Sequence, residues 1–168
     1  EKRTGQIWRV GDTYNVSIVQ GDLTVAPLRL LATISSIANG GKVFRPFLVR
    51  KIVNDKEEII WENDPEIIFD FRDWWADIQE VQKGMRDAVA QPYGTANRLY
   101  DLPYSTAGKT GSAQISNNTK TNAFFIGYGP HENPKIAILV LVEDAKEGSI
   151  NTLPIAYDVL KWYYDNRL

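Results

Sequence analysis

The segment Ala107–Gln114 concentrates a cation, hydroxyl groups and glycine in a stretch that otherwise has the pattern of a β-strand. Lys109 offers a positive charge, and Thr110 and Ser112 offer hydroxyls that can hold an anionic group such as a carboxylate. Glycine in a strand allows another backbone to approach closely. An edge strand also has backbone groups with which a bound peptide can pair. These residue types therefore indicate an edge strand that binds a peptide with an anionic end.

Two other interpretations fit part of this segment. A phosphate-binding P-loop needs its first glycine where Pro103 stands, and it needs a helix that begins at Lys109. Gly111 and the extended pattern disfavour that helix. A solvated, glycine-rich strand end also fits, because the tripeptide Lys-Thr-Gly is weak evidence when taken alone. Other parts of the sequence are needed to choose between the edge-strand interpretation and these alternatives.

Three helices are predicted from apolar side chains that recur every three or four residues. They span residues 24–39, 73–90 and 152–168. Thr24 is the expected N-cap of the first helix. The last helix is expected to cover a face of a sheet with Ile155, Val159, Leu160 and Tyr163.

The strands are predicted in two groups. Residues 46–53 and 58–61 are short β-branched runs around a turn, which is typical of a hairpin. Residues 106–116, 122–129 and 136–143 predict three strands, and the short turns between them favour antiparallel pairing. The sequence therefore predicts an α+β fold in which an antiparallel sheet is covered by helices.

The composition excludes several functions. The chain has 168 residues, of which 43% are hydrophobic, so one compact domain is expected. Its 19 basic and 21 acidic residues give no positive surface for nucleic acid. The absence of cysteine excludes disulfides and thiol catalysis. No apolar run reaches the roughly 18 to 20 residues of a membrane-spanning helix.

Other reactive or aromatic residues are given structural interpretations. His131 lies in a proline-rich turn and is interpreted as a solvated loop residue. The carboxylates of residues 70–80 lie at a helix start, where they suit the helix dipole, and no histidine or cysteine joins them. We therefore predict no metal site and no cofactor. For Trp74 and Trp75 we expect one ring in the core and the other at the surface.

Several motifs outside residues 107–114 point to one family. They are Asn15–Leu28, Ala38–Gly41 with the following Pro46, Gly94–Ala96, Phe124–Pro130 and Leu141–Glu143. Together with Lys-Thr-Gly at 109–111 they resemble the class B penicillin-binding proteins, from about Asp12 to the C-terminus. The elongation-type, PBP2-like subgroup is the expected one. Val19 and Ala26 depart from a glycine and a threonine that are usual in the family.

The resemblance implies a peptidoglycan D,D-transpeptidase. Such an enzyme cross-links stem peptides that end in D-Ala-D-Ala through a serine acyl-enzyme, and β-lactams acylate the same serine. Carried over to this sequence, Lys109 supplies positive potential at the catalytic centre. Thr110 and Ser112 hold the terminal carboxylate, and the Ser112 main-chain N–H is an oxyanion-hole donor. Gly111 and Gln114 complete the expected substrate-binding set.

The nucleophile of such an enzyme is missing from this sequence. No Ser-x-x-Lys occurs, and the two Ser-x-Asn triplets, at Ser116 and Ser149, follow Lys109 whereas the family's triplet precedes it. We therefore expect residues 1–168 to be the C-terminal portion of one transpeptidase domain, inactive alone. The nucleophile and a membrane anchor are expected upstream of Glu1, at the extracytoplasmic face of the bacterial inner membrane. A SEDS-family polymerase and other elongation proteins are the partners that the resemblance implies.

Two rival functions stay open at this point. A penicillin-binding fold without a nucleophile can serve as a sensor or scaffold, and a β-lactamase would hydrolyse the drug quickly. The upstream presence of Ser-x-x-Lys distinguishes the first rival, and the release rate of a bound penicillin distinguishes the second.

Overall fold

The computed structural model describes residues 7–17, 24–115 and 120–168, and five α-helices lie in these ranges. They are α1 (Val10–Ser17), α2 (Pro27–Ala38), α3 (Trp75–Ala90), α4 (Gly148–Asn151) and α5 (Leu153–Arg167). Short 3-10 turns cover Arg72–Trp74 and Asn97–Asp101. Within the same ranges, none of the helices combines the length and the apolar composition needed to cross a lipid bilayer.

The start of α2 corrects one prediction. Thr24 is not the N-cap, because the helix begins at Pro27 and Ala26 occupies the cap position without a side-chain hydrogen bond. Proline suits this first position, since its φ angle is already helical and its missing N–H has no partner to lose there. The helix therefore starts at the proline and not at the earlier hydroxyl.

Seven strands in the described residues form three antiparallel sheets. The strands are β1 (Lys42–Phe44), β2 (Lys51–Val53), β3 (Ile59–Glu62), β4 (Ile67–Asp70), β5 (Ala107–Ile115), β6 (Lys120–Gly129) and β7 (Ile136–Val142). The predicted hairpin is confirmed as the pair β2–β3, although its first strand is shorter than predicted. The pair β1–β4 was not predicted, because its strands are separated by the whole hairpin.

The main sheet has the order β5-β6-β7, which confirms the three predicted strands and their antiparallel pairing. Its register is unbroken from the pair Ala107 and Tyr128 to the pair Ile115 and Lys120. Ser116, the last residue of the predicted first strand, lies outside the described residues. The strand that carries Lys109 is thus an edge strand of this sheet.

Helices cover both faces of the main sheet. One face packs against α5 through Phe125, Val140 and Leu160, which belong to one buried cluster. The opposite face packs against α2, where Ile34 and Tyr128 belong to a second buried cluster. The predicted covering of the sheet by the last helix is confirmed, and α2 adds a third layer.

The buried side of α5 differs in part from the predicted one. Leu153, Ala156 and Leu160 are buried, whereas Ile155 and Val159 are exposed. The helix begins at Leu153, and positions 153, 156 and 160 then share one face at the helical period. Leu160 is therefore the predicted residue that proves to be fully buried.

Helix α3 packs beside the edge strand β5. Met85 belongs to the cluster on one face of the sheet, and Val89 belongs to the cluster on the other. The Arg86 guanidinium donates a hydrogen bond of 2.9 Å to the Thr106 carbonyl, just before β5 begins. Helix α3 is therefore fixed to the start of this strand by both apolar and polar contacts.

The expectation for the tryptophan pair is wrong. Both Trp74 and Trp75 are exposed, at 64% and 45% of their surface. Trp74 contacts Phe71, and the Trp75 ring lies against Gly40 at the end of α2. Hydrophobic periodicity predicts which side of a helix is apolar. Whether that side is buried depends on distant residues that pack against it.

Candidate active-site groove

Strand β5 continues without interruption through the Lys-Thr-Gly motif. Thr110 is paired with Phe125 and Ser112 with Ala123 on β6, and no second strand pairs with β5 in the described part of the chain. Because Lys109 is in a strand and does not begin a helix, the P-loop interpretation is wrong. The predicted edge strand is confirmed.

The middle of β5 borders an open groove of about 860 Å³. Pockets of this size accommodate ligands as large as a short peptide or a drug molecule. The groove is lined by five consecutive residues of β5, three residues of β6 and parts of three other segments. These residues are Lys109–Ala113, then Asn122, Phe124 and Ile126, and finally Thr24, Val25, Leu30, Thr95, Glu147, Gly148 and Ser149.

Lys109 and Thr110 present polar groups to this groove. The Lys109 side chain is exposed, and its ammonium group donates a hydrogen bond of 2.8 Å to the Thr110 carbonyl. The Thr110 hydroxyl is half-buried and donates a hydrogen bond of 2.8 Å to the hydroxyl of Thr95. A cation and a hydroxyl pair therefore lie next to each other at the edge of the sheet.

Ser112 connects β5 to the start of α4. Its side chain is exposed, and its hydroxyl oxygen accepts a hydrogen bond of 3.3 Å from the Gly148 N–H. A Cβ atom at position 148 would lie 2.7 Å from the carbonyl oxygens of both Gly111 and Phe124. Real Cβ atoms essentially never come so close, so only glycine fits here. The start of α4 is thereby held directly against the strand that borders the groove.

The two glycines of β5 have different surroundings. A Cβ atom on Gly108 would lie 2.6 Å from the Phe125 ring and 2.7 Å from the Ile126 carbonyl, so packing requires glycine there. A Cβ atom on Gly111 would meet only the Phe124 Cβ, at an ordinary 3.6 Å. The described residues therefore leave room for a side chain at Gly111, and that room belongs to the groove.

Gln114 is the member of the predicted set that does not line the groove. It is exposed near the end of β5, opposite Thr121 on β6. The structure thus brings Lys109, Thr110, Gly111 and Ser112 together along one groove and leaves Gln114 just beyond it. Its role in substrate binding stays a prediction.

A second polar cluster lies at the other end of β5, and it does not have the geometry of a catalytic triad. The Ser105 hydroxyl donates to the Glu132 carboxylate, which lowers the pKa of that carboxyl. His131 is half-buried, its Nδ1 lies 3.3 Å from the Tyr128 hydroxyl, and its main-chain N–H, not its ring, bonds to Ser105 Oγ, at 3.1 Å. Burial raises the pKa of Tyr128 to about 12. The His131 turn is therefore held by its neighbours, and no serine is activated there.

Metal chemistry has no candidate in the described ranges either. Residues 7–17, 24–115 and 120–168 contain no group of three or more His, Asp or Glu side chains that could hold a metal ion. The carboxylates near the start of α3 instead include Asp70, which forms an ion pair of 2.6 Å with Arg72.

Comparison with known proteins decides the family. The family described as the penicillin binding protein transpeptidase domain matches residues 2–161 of this chain. The chain belongs to this family. It is 33% identical, over 186 aligned positions, to the peptidoglycan D,D-transpeptidase MrdA of Haemophilus influenzae, with 100% of this chain and 28% of MrdA covered.

Solved structures of the family have the same fold. The structure of Pseudomonas aeruginosa PBP2 in complex with WCK 5153 matches with a TM-score of 0.77 and 31% identity, over 96% of this chain and 36% of that one. PBP2 from Helicobacter pylori, in its complex with MreC, matches with a TM-score of 0.75 and 32% identity, over 99% of this chain and 30% of that one. The family resemblance predicted from the motifs and the α+β fold predicted from the helix and strand patterns are confirmed.

The chain spans 28% of the length of MrdA and about a third of the PBP2 chains. The groove of this penicillin-binding transpeptidase segment also includes residues whose place in the site was not predicted from the sequence. Thr95 belongs to a family motif, Gly94–Ala96, but the motif alone does not reveal its contact with Thr110. Gly148 had no signal in the sequence, because the backbone that it contacts is more than 20 residues away along the chain.

Proposed function

We propose that this chain provides the substrate-binding strand of a serine D,D-transpeptidase that cross-links peptidoglycan stem peptides. The observation that carries the proposal is the position of β5, an edge strand whose Lys-Thr-Gly-Ser stretch borders a peptide-sized groove. A stem peptide would lie in extended form along this strand, since an edge strand offers main-chain groups for pairing. The family relatives named as D,D-transpeptidases support the same reaction.

The polar groups of the groove suit the end of a peptide. A terminal D-Ala-D-Ala carries one carboxylate, and Lys109 with the Thr110 and Ser112 hydroxyls would supply a positive charge and hydrogen bonds to it. Hydrogen bonds to an ionised acceptor are about twice as strong as neutral ones. The apolar side chains of Phe124 and Ile126 line the same groove and would contact the aliphatic part of the peptide.

The reaction also needs groups that we place ahead of Glu1, because residues 1–168 contain no Ser-x-x-Lys. A serine hydroxyl would give its proton to a lysine and attack the carbonyl carbon of the penultimate D-alanine. The peptide bond breaks, the terminal D-alanine leaves with a proton, and an ester remains on the serine. The amine of a second stem peptide then attacks the ester, forms the cross-link and releases the serine. A β-lactam would form the same kind of ester while its ring opens.

The Ser112 main-chain N–H is the proposed oxyanion donor of this chain. The carbonyl oxygen becomes negatively charged when the serine attacks, and a positioned N–H stabilises that charge. Loss of one such donor typically lowers the rate by on the order of a hundredfold to a thousandfold. The position of Ser112 on the groove side of the edge strand supports this role.

The location and partners follow from the same family assignment. We propose that an N-terminal helix outside residues 1–168 anchors the protein at the extracytoplasmic face of the bacterial inner membrane. PBP2 from Helicobacter pylori has been solved in complex with MreC, and we propose an MreC-like partner here. A SEDS-family polymerase that makes the glycan strands is the further proposed partner.

Labelling of the complete protein with a fluorescent penicillin tests the proposed function. The expected result is a covalent label that survives denaturation and is released over many minutes. The variant Lys109→Met should be labelled about a hundredfold more slowly, because the positive charge beside the reacting carbonyl is lost. Lys56→Met, at the exposed β2–β3 turn, is the matched control and should be labelled like the wild type.

Each rival function gives another outcome. A sensor or scaffold without a nucleophile would take no label, and a β-lactamase would release the product within seconds. Either result would contradict the proposed transpeptidase. Equal labelling of Lys109→Met and the wild type would instead contradict the proposed role of β5.

A further inference from the structure

Thr95 and Thr110 share one hydrogen bond at the border of the groove. Their hydroxyl oxygens are 2.8 Å apart, and both residues line the groove. A threonine hydroxyl has one proton and can accept two further hydrogen bonds. Two linked hydroxyls therefore use one proton for their mutual bond and keep the other for a ligand. An anion that binds to this pair would therefore accept one hydrogen bond, from whichever of the two hydroxyls carries the remaining proton.

The position of Thr95 is fixed by the turn that contains it. The Ala96 N–H donates a hydrogen bond of 2.9 Å to the Ala88 carbonyl near the end of α3, and Ala96 is fully buried. A Cβ atom on Gly94 would lie 2.3 Å from the same carbonyl oxygen, so the turn can approach the helix only with glycine. The Asn97 amide donates to the carbonyls of Val89 and Gln91 and closes the helix end. The exposed Thr95 side chain thus stands on a rigid base.

The orientation of the Thr110 hydroxyl depends on this contact. A threonine side chain has three staggered χ1 rotamers, and only some of them direct the hydroxyl to Thr95. In the structure Thr110 donates its proton to Thr95. When a carboxylate binds, the bond between the two hydroxyls can reverse, so that Thr95 donates to Thr110 and Thr110 donates to the carboxylate. No covalent bond changes in this exchange.

We propose that Thr95 is a positioning residue of the carboxylate site, which holds the Thr110 hydroxyl towards the groove and donates to it when a peptide carboxylate binds. The inference rests on the proposed transpeptidase function and adds to it a residue from a different segment. It also assigns a role to the Gly94–Ala96 motif, which the roles proposed for Lys109 and Ser112 leave unexplained.

The test uses the complete protein and two thioester acyl donors that differ only in their end group, a carboxylate or a carboxamide. Thr95→Val should lower the second-order acylation rate with the carboxylate donor about five- to tenfold, since one hydrogen bond to a charged group is weakened. With the carboxamide donor the rate should change less than about twofold. Thr95→Ser retains the hydroxyl and should restore the wild-type rate.

A double-mutant cycle shows whether Thr95 acts through Thr110. If it does, Thr95→Val combined with Thr110→Val should be no slower than Thr110→Val alone, because residues of one hydrogen-bonded pair are not additive. Thr33→Val is the matched control: Thr33 is exposed on α2, it does not line the groove, and its hydroxyl donates to the Arg29 carbonyl. It should leave both rates unchanged.

The outcomes separate the inference from the proposed function. A wild-type protein that is acylated by penicillin and by the carboxylate donor, with Thr95→Val unaffected, overturns the inference and leaves the transpeptidase standing. Equal loss with both donors, or additive losses in the double variant, also overturns it, because either result means a structural role. A wild-type protein that neither penicillin nor a donor acylates overturns both.

Discussion

The start and the middle of strand β5 carry similar residue types but differ in what those residues contact. Next to its start, Thr106 is 1% exposed, and its hydroxyl has no hydrogen-bond partner in the described part of the chain. Four positions later, the Thr110 hydroxyl reaches the groove and is bonded to Thr95. Side-chain chemistry alone therefore does not distinguish a packed threonine from one that borders a groove, whereas the neighbouring residues do.

The glycines repeat this contrast. Gly108 lies under the Phe125 ring, where a side chain does not fit, and Gly111 lies beside the groove, where one does. The first glycine is required by the packing of the sheet, and the second leaves open space on the groove side of the strand. The start of β5 is thus closely packed, whereas its middle, residues 109–113, borders the groove in which we propose that the substrate binds. Substitutions in these two parts of the strand should accordingly change different measurable quantities.

The largest expected effect is at the Ser112 main chain. Ser112→Pro removes the N–H and should abolish acylation of the complete protein by a fluorescent penicillin, by at least about a hundredfold. Ser112→Ala keeps the N–H and loses only the hydroxyl, so it should slow acylation by about tenfold or less. The measurement is the rate of covalent labelling, with circular dichroism to verify the fold of each variant.

Comparing the labelling rates of Ser112→Pro and Ser112→Ala tests whether the main-chain N–H or the side chain is the oxyanion donor. If Ser112→Ala is as inactive as Ser112→Pro while both are folded, the oxyanion role belongs to the side chain and the main-chain assignment is wrong. Because Ser112 Oγ also accepts from Gly148, Ser112→Thr serves as a variant that keeps both the N–H and a hydroxyl. It should label at nearly the wild-type rate.

Smaller effects are expected for Gly108 and Gly111, and the two substitutions should change different properties. Gly108→Ala should lower the free energy of unfolding by about 1–3 kcal/mol, because the added methyl overpacks the sheet against Phe125. Gly111→Ala should leave thermal unfolding nearly unchanged but slow acylation by about tenfold to a hundredfold, because the methyl displaces the substrate. Differential scanning fluorimetry and labelling kinetics measure the two effects. The contrast fails if both variants lose the same property.

The smallest expected effect is at Thr106. Thr106→Val replaces a buried hydroxyl that lacks a protein partner with a methyl group of the same size. Such a change should leave the stability unaltered or raise it by about 1 kcal/mol, and the labelling rate should stay at the wild-type value. Chemical denaturation followed by fluorescence measures the stability. A loss of more than about 1 kcal/mol would show that the hydroxyl is hydrogen-bonded in solution.

Much of the fold was predictable because its signals are local. The strands β5, β6 and β7 have β-branched and aromatic residues between turn-forming clusters, and their bounds match the prediction to within two residues. The bounds of α3 were predicted equally well from its apolar spacing. Lys109, Thr110, Gly111 and Ser112 are consecutive, so one correctly predicted strand is enough to place them side by side.

The features that the sequence did not predict depend on contacts between distant segments. Thr95 and Thr110 are brought together only because the end of α3 turns back beside β5. The strands β1 and β4 pair across the intervening hairpin β2–β3, and no short turn in the sequence indicates this pairing. The exposure of Trp74 likewise depends on which layers lie nearby. Periodicity contains no information on any of these partners.

The close approach of Gly148 to β5 limits how the groove of this chain can be remodelled. A library that varies the groove rim has no tolerated substitution at position 148, since even alanine would push into the Gly111 and Phe124 carbonyls. Glu147 is exposed and Ser149 is half-buried, so both neighbours accept other side chains. An engineer who wants to change ligand preference from this side therefore has two adjustable positions around one immovable backbone contact.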